Sequence, residues 1–362
     1  MRALELLWGV EERLNKLEVS RAKIDAPHGF RIFEVPSRDW FKRGGWHLYF
    51  VRKIGLASTI ACWKLARHLG APRYSIAGLK DANAIAYQYV SLVNPKATPN
   101  YVNLGDVRAW YLGQGSIIKP GSHEGNMFRV DIKADDVDLL CKNLESIERI
   151  PAYYGPQRFG IRRPSSHLYG LAIALKEPGR LIKEYTYRYP LEGDVKLSYE
   201  NESITLAYKK RDPWIAMEKA PGIALEALQA YIFNRALSEA IRRGYLEQIR
   251  ETIIRITYCN SIVTLPAVRL PSRELATGTT TWARIVRGVA ELEGVNLEML
   301  GALKPSLRPV YFPFKIRSCV RKEDKVIVTL CLPPAAYITI LLREVALIDW
   351  CSLAFEIGEE SI

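Results

Sequence analysis

The sequence predicts a mixed α+β protein, and three observations carry that prediction. Residues 46–52 alternate as a strand does, and residues 58–69 place apolar side chains at helical spacing. Short segments of both kinds then follow one another with no internal repeat or low-complexity run. The 362 residues are 48% hydrophobic and 25% charged, the composition of a folded chain long enough for two domains.

The elements follow in order. Ala3, Leu4, Leu6, Leu7, Val10, Leu14 and Leu17 are apolar but interrupted by Glu5, Glu11, Glu12 and Arg13. That pattern predicts an amphipathic helix and not a secretory signal. In the helix expected over 58–69, Ser58 is the expected N-cap and Gly70 the C′ stop. A short strand over 74–77, a turn over 78–81 and a strand over 85–93 come next. A strand over 127–132 and a helix over 137–147 follow, then helices around 165–175 and over 224–243, the latter ended by Gly244. Strands near 309–316 and 325–332 and a helix from Tyr337 to Leu347 complete the chain.

No apolar run approaches the ~18–20 residues that cross a bilayer. The six cysteines are scattered, with neither a CxxC pair nor Cys/His ligand spacing. The expectation is a cytoplasmic protein with buried thiols, no disulfide framework, no metal and no membrane partner.

The charge balance is more informative. Lys and Arg number 51 against 39 Asp and Glu, a net charge of +12. Between Asp39 and Asp81 there is no acid but eight basic residues, interleaved with Trp40, Phe41, Trp46, Tyr49, Phe50, Trp63 and Tyr74. A second stretch, 158–188, holds seven basic residues and two acids. A polyphosphate partner is drawn to such surfaces, with aromatic faces available for stacking. The competing reading is a solvated basic face over ordinary core aromatics.

Asp81 stands out because it is the only carboxylate in its stretch, next to Lys80. Aspartates in turns are ordinarily caps or turn formers. Neighbouring cations are expected to depress its pKa and hold it ionised, as a nucleophile or base requires.

Several motifs resemble one family. Ala77-Gly78-Leu79-Lys80-Asp81, with Ala84 and Gln88 downstream, resembles the signature of the TruD family of tRNA pseudouridine synthases. Tyr153-Tyr154-Gly155-Pro156-Gln157-Arg158-Phe159-Gly160 resembles that family's Asn-Tyr-Phe-Gly-x-Gln-Arg-Phe-Gly run, and residues 163–170 the segment after it. Gly125-Asn126-x-Phe128, residues 229–234 ending in Phe233-Asn234, and Leu332-Pro333, Tyr337, Thr339 and Leu342-Arg343-Glu344 are similar to further family motifs. The matches span residues 30 to about 347 in family order.

The resemblance implies a pseudouridine synthase catalytic domain with a mixed, largely antiparallel sheet, over residues 1–170 and 305–362. A TruD-type α/β domain would be inserted over 171–304, with a soft boundary at the 224–243 helix. It implies tRNA as partner, bound in a basic cleft, and isomerisation of uridine without cofactor or metal. Uridine 13 is the expected target, with uridine 35 of tRNA-Tyr as the alternative. Asp81 is the implied catalytic carboxylate, adding to C6 or C1′ or deprotonating C2′. Tyr154 is assigned to stacking on the flipped base, and Tyr337 to closing the pocket. Lys80 and Arg158 are candidates for phosphate contact or for orienting Asp81, and Phe30 and Lys23 for the RNA-facing set. Gly78, Gly155 and Gly160 are expected to meet backbone requirements, His167 to be a capping or core histidine, and Arg343–Glu344 a structural ion pair.

The chain also departs from the family pattern. His28-Gly29-Phe30 stands where Glu-Asp-Phe is usual, Lys23 is offset from the family lysine, Ala152 replaces Asn and Ala86 replaces Thr. The alternative these departures leave open is a catalytically weak or inactive tRNA-binding protein of the same descent.

Overall fold

A computed structural model describes residues 2–160, 163–187, 189, 204–207, 209–218 and 223–353. Its centre is an eleven-stranded sheet. The first half of the chain supplies β1 (Arg21–Ile24), β2 (Phe30–Glu34), β3 (Trp46–Ile54), β4 (Arg73–Ile76), β5 (Ile85–Val93), β6 (Tyr101–Asn103), β7 (Val107–Gly115) and β8 (Asn126–Ala134). After β9 (Arg149–Pro151), β10 (Thr252–Tyr258), β11 (Ser261–Arg269), β12 (Leu307–Pro309) and β13 (Tyr311–Pro313), the sheet is completed by β14 (Lys315–Arg321), β15 (Lys325–Leu332) and β16 (Leu347–Ile348). The main order is β14-β15-β8-β2-β5-β3-β7-β6, with β1, β4 and β16 off this path. Only β2–β5 and β1–β16 pair in parallel; the other neighbours are antiparallel, so the sheet is mixed and largely antiparallel.

Alternation along the strands sends one side chain in two to each face; one face carries the two large cores, and Trp40 and Ile118 cover Leu48 and Tyr89 on the other. On β2, β8 and β15, Phe30, Ile32, Val130, Ile132, Val328 and Leu330 form a core with helices Val137–Ser146 and Ile338–Val345. On β3, β5 and β7, Tyr49, Val51, Val90, Leu92 and Ala109 form a second core beneath helix Ser58–His68. The polar residues between these two cores build the site described below.

Helix Ile223–Arg242 packs into the first core. Its fully buried Asn234 accepts the Tyr154 backbone N–H at 2.8 Å and donates to the carbonyls of Trp8 and Tyr154 at 2.8 and 3.0 Å. His167 is buried and stacks on Tyr231, and burial pushes its pKa down to about 3, as suits a core histidine. Arg343 pairs with Glu5 and Glu344 at 2.8 and 3.1 Å in a buried cluster.

Four sequence expectations are corrected. The first helix covers only Arg2–Leu7: Gly9 turns the chain at φ +70°, and Glu11 and Glu12 beyond it pair with Arg235 and Arg242 instead of lining a helix. Ala57 occupies the N-cap position of the next helix, so Ser58 is its first residue and its hydroxyl is spent elsewhere. The strand expected over 309–316 breaks into β12, β13 and the start of β14, which belong to three different sheets. Cys259 and Cys331 form a disulfide, against the expectation of thiols throughout; Cys62 and Cys141 are buried thiols, and Cys351 is exposed. No helix among the described residues is long and apolar enough to cross a membrane.

Candidate active site

Asp81 sits in the loop between β4 and β5, which four buried side chains hold in place. Ser58 Oγ accepts the Lys80 backbone N–H at 2.9 Å and donates to Gln88 Oε1 at 2.7 Å. Lys53, fully buried on β3, donates from Nζ to the Asp81 carbonyl oxygen at 2.6 Å. Lys80 turns inward to Glu34 of β2 at 2.6 Å, and the other Glu34 oxygen accepts the Tyr89 N–H at 2.9 Å. A loop anchored at three points presents its next side chain in a fixed direction.

Asp81 retains partial solvent exposure. Its pKa is pushed up to about 6, the reverse of the sequence expectation. Desolvation is the largest cause and outweighs the lowering influences of Lys53, a hydrogen bond from Gln157, and Lys80. Lys80 weighs least of these, its charge already being neutralised by Glu34. Lys53 responds in kind: burial pulls its ammonium down to about 8 despite the neighbouring Asp81. Thr339 donates to Gln157 Oε1 at 3.2 Å, which leaves the Gln157 amide nitrogen for the carboxylate.

Aromatic rings form the opposite wall. Tyr154 lies 6.2 Å from Tyr337, centroid to centroid, and 5.7 Å from Phe233 at right angles. The buried Arg308 guanidinium covers one Tyr154 face at 3.8 Å and is held by the carbonyls of Ala152, Tyr153 and Ala335. Arg158 lies 5.4 Å from the same ring and pairs with Glu226 at 3.0 Å, while its Nε is buried without a hydrogen-bond partner. Tyr337 shares this electrostatic environment, since Asp81, Arg158 and Arg308 all act on its hydroxyl. Gly155 has no special φ; a Cβ there would meet Tyr337, Gln157 and Thr339 at 2.7–2.8 Å. Gly160 has φ +92° and a Cβ would strike the Arg163 carbonyl, whereas at Gly78 neither constraint operates.

The structure thus brings together Asp81, Tyr154, Tyr337 and Arg158. Three other predicted residues lie elsewhere. Lys80 is committed to a buried ion pair with its side chain 3% exposed, which removes it from phosphate contact. Phe30 is 1% exposed and stacks on Phe128 in the core. Lys23 on β1 is in register with Lys133, and its flanking Ala22 and Ile24 are the core residues. Alternation therefore turns Lys23 to the solvent face of the sheet, behind Asp81. Sequence reasoning missed Lys53, Gln157 and Arg308. Lys53 was detectable, because it is in phase with Tyr49 and Val51 on the buried face of β3. Of the second basic stretch, Arg162 and Arg188 lie outside the described residues. Among the described residues, no cluster of three or more His, Cys, Asp or Glu is placed to hold a metal ion.

A part-open, desolvated carboxylate framed by buried cations, a fixed amide and aromatic rings is an arrangement in which functional carboxylates concentrate. A family model described as "tRNA pseudouridine synthase D (TruD)" matches residues 23–224, more than half of the chain, and the chain belongs to that family. A Sulfurisphaera tokodaii protein named "Probable tRNA pseudouridine synthase D" is 28% identical, covering 90% of this chain and 93% of its own. One of the same name from Methanopyrus kandleri is 29% identical over 83% and 86%. A crystal structure from Methanosarcina mazei carrying the TruD name superposes with a TM-score of 0.69 at 19% identity, over 97% of this chain and 99% of that one. The fold is shared along the whole length.

Proposed function

We propose that this chain isomerises a uridine of tRNA to pseudouridine, with Asp81 as the reacting carboxylate. The observation that carries the reading is Asp81 itself: a carboxylate desolvated at a real cost, aimed by an anchored loop, and facing rings that can hold a flipped base. Family membership supplies the reaction. The N1–C1′ bond breaks, the base turns, a C5–C1′ bond forms, the C5 proton is lost and N1 gains one. Ionised Asp81 is suited to add to C6 or C1′, or to remove the C2′ proton. Lys53 and Gln157 orient it and temper its charge. With one face of Tyr154 occupied by Arg308, the flipped uracil stacks on the other, and Tyr337 closes the pocket beside it. Arg158 is placed to meet a phosphate with the exposed part of its guanidinium. The tRNA lies between the catalytic part, 1–170 with 305–362, and the segment 171–304. Uridine 13 is the favoured target and uridine 35 of tRNA-Tyr the second.

The test is carbodiimide primer extension on unmodified tRNA transcripts incubated with the protein. Pseudouridine formed by the native chain and absent with Asp81→Ala supports the proposal. Tight, salt-sensitive binding without product on any tRNA refutes it and leaves a tRNA-binding protein.

A further inference from the structure

The reverse face of the sheet carries a row of aromatic rings that the proposed active site does not use. Phe33 of β2 stacks on Tyr87 of β5 at 4.6 Å with 7° between the ring planes. Tyr87 lies 5.8 Å from Phe50 of β3, Phe50 lies 6.2 Å from Trp110 of β7, and Trp110 lies 5.6 Å from Tyr101 of β6. Five rings thus cross five adjacent strands in a continuous line. Strand register puts them on the face opposite Lys53, Val51 and the two cores. The 3-10 helix Arg38–Phe41 packs Trp40 and Phe41 on Tyr89 beside Phe50, whereas the outer end of the row is open, with Trp110 36% and Tyr101 46% exposed.

Arginines flank the rings. Arg52 is directly opposite Tyr87 on one side and Arg108 on the other, and Arg31 is directly opposite Arg129. Like charges placed opposite each other across strands are destabilising in isolation. None of the four is within ion-pair distance of a carboxylate among the described residues. Such a face is costly for the fold alone and complementary to a chain of phosphates bearing planar bases.

We infer that this face is a second RNA-binding surface, which takes unpaired nucleotides with bases stacked on the Phe50–Trp110–Tyr101 rings and phosphates on Arg52 and Arg108. It is independent of the isomerisation proposed above, because it lies on the other side of the sheet and its readout is binding alone.

The test uses the full chain and a fluorescein-labelled oligouridylate of roughly 12 nucleotides, a length within the site sizes of OB folds that bind single strands. Affinity is read by anisotropy, and contact by crosslinking from 4-thiouridine followed by peptide mapping. Trp110→Ala and Tyr101→Ala, both at exposed positions, are expected to weaken binding about 10-fold each. Trp63→Ala, an exposed tryptophan on helix Ser58–His68, is expected to leave it unchanged. Crosslinks are expected on β3, β6 and β7. Crosslinks confined to the peptides of Asp81, Tyr154 and Tyr337, with Trp110→Ala and Tyr101→Ala unaffected, would overturn the inference. So would light scattering that shows the Trp110 substitution dissociating a dimer while RNA affinity stays constant, since the face would then be a self-association surface.

Discussion

Replacing Asp81 by Asn should stabilise the protein at neutral pH, and the gain should disappear in acid. The carboxyl has its pKa raised from 3.8 to about 6, chiefly by desolvation. A carboxyl with a raised folded-state pKa costs stability once ionised. The cost is absent below the unfolded value, develops as pH rises from about 4 to about 6, and is complete above that. Two pKa units and a little more, at 1.36 kcal/mol each, give about 3 kcal/mol as an upper bound at pH 7.5, falling to about 1 kcal/mol at pH 4.5. Partial exposure of Asp81 reduces both figures, the one at pH 7.5 more than the one at pH 4.5. Asn keeps the shape and still accepts the Gln157 hydrogen bond, so the carboxylate charge is what changes. Urea denaturation of both proteins at the two pH values measures the difference directly. A variant less stable than the native chain at pH 7.5, or a gap independent of pH, would show that Asp81 supports its loop as a cap. The fold would then gain from the carboxylate charge instead of bearing its desolvation for reactivity.

Three further outcomes follow from the same geometry. The kcat/KM for isomerisation should rise with pH through about 6 as Asp81 ionises, and fall above about 8 as Lys53 loses its proton; a profile flat from pH 5 to 9 contradicts both roles. Lys80→Met should cost about 3–5 kcal/mol by leaving Glu34 charged and alone, and Lys80→Met with Glu34→Leu should recover most of it in the same urea assay. The salt dependence of tRNA binding should be the same in that double variant, whereas a shallower slope would return Lys80 to the RNA interface. Tyr154→Ala should slow turnover far more than it weakens tRNA affinity, because one stack is a small part of a polyelectrolyte interface; single-turnover rates and filter binding separate the two, and an unchanged rate removes Tyr154 from the site.

Periodicity made most of the fold legible. Strands β3, β5, β8 and β15 and the helix beginning at Ser58 begin and end within two residues of where alternation and glycine stops place them. The motif residues Asp81, Tyr154, Arg158 and Tyr337 do converge. What stayed hidden depends on direction and burial. Lys80 and Lys53 read alike as members of an acid-free basic stretch, yet one neutralises Glu34 and the other braces the Asp81 carbonyl. Counting charges along the chain therefore predicted a depressed Asp81 pKa, when the loss of water around the carboxylate is the larger influence. Arg308 carried no signal, because its partners are backbone carbonyls and a ring contributed by segments some 150 residues away. The Cys259–Cys331 pair likewise joins the β10–β11 turn to β15, a proximity that no spacing rule encodes.

The location of the site follows from the architecture. The sheet covers one face with two separate apolar cores, one against helix Ser58–His68 and one against helices Val137–Ser146 and Ile338–Val345. Where the two meet, beside the parallel pair β2–β5, apolar packing gives way to Glu34, Lys53, Ser58, Lys80 and Gln88, all buried. Buried polar groups at such density are tolerated only when mutually satisfied. Here each is: Lys80 by Glu34, Ser58 by Gln88 and the Lys80 N–H, Lys53 by the Asp81 carbonyl. The group this network leaves under-compensated is the Asp81 carboxylate, which is also the one that reaches solvent. A seam that satisfies its own members and withholds full compensation from a single accessible charge keeps that charge reactive, and substituting Lys53 by Met should raise the Asp81 pKa further and move the acid limb of the rate profile upward. A limb that stays at about 6 in that variant would show that Lys53 acts on the loop backbone alone.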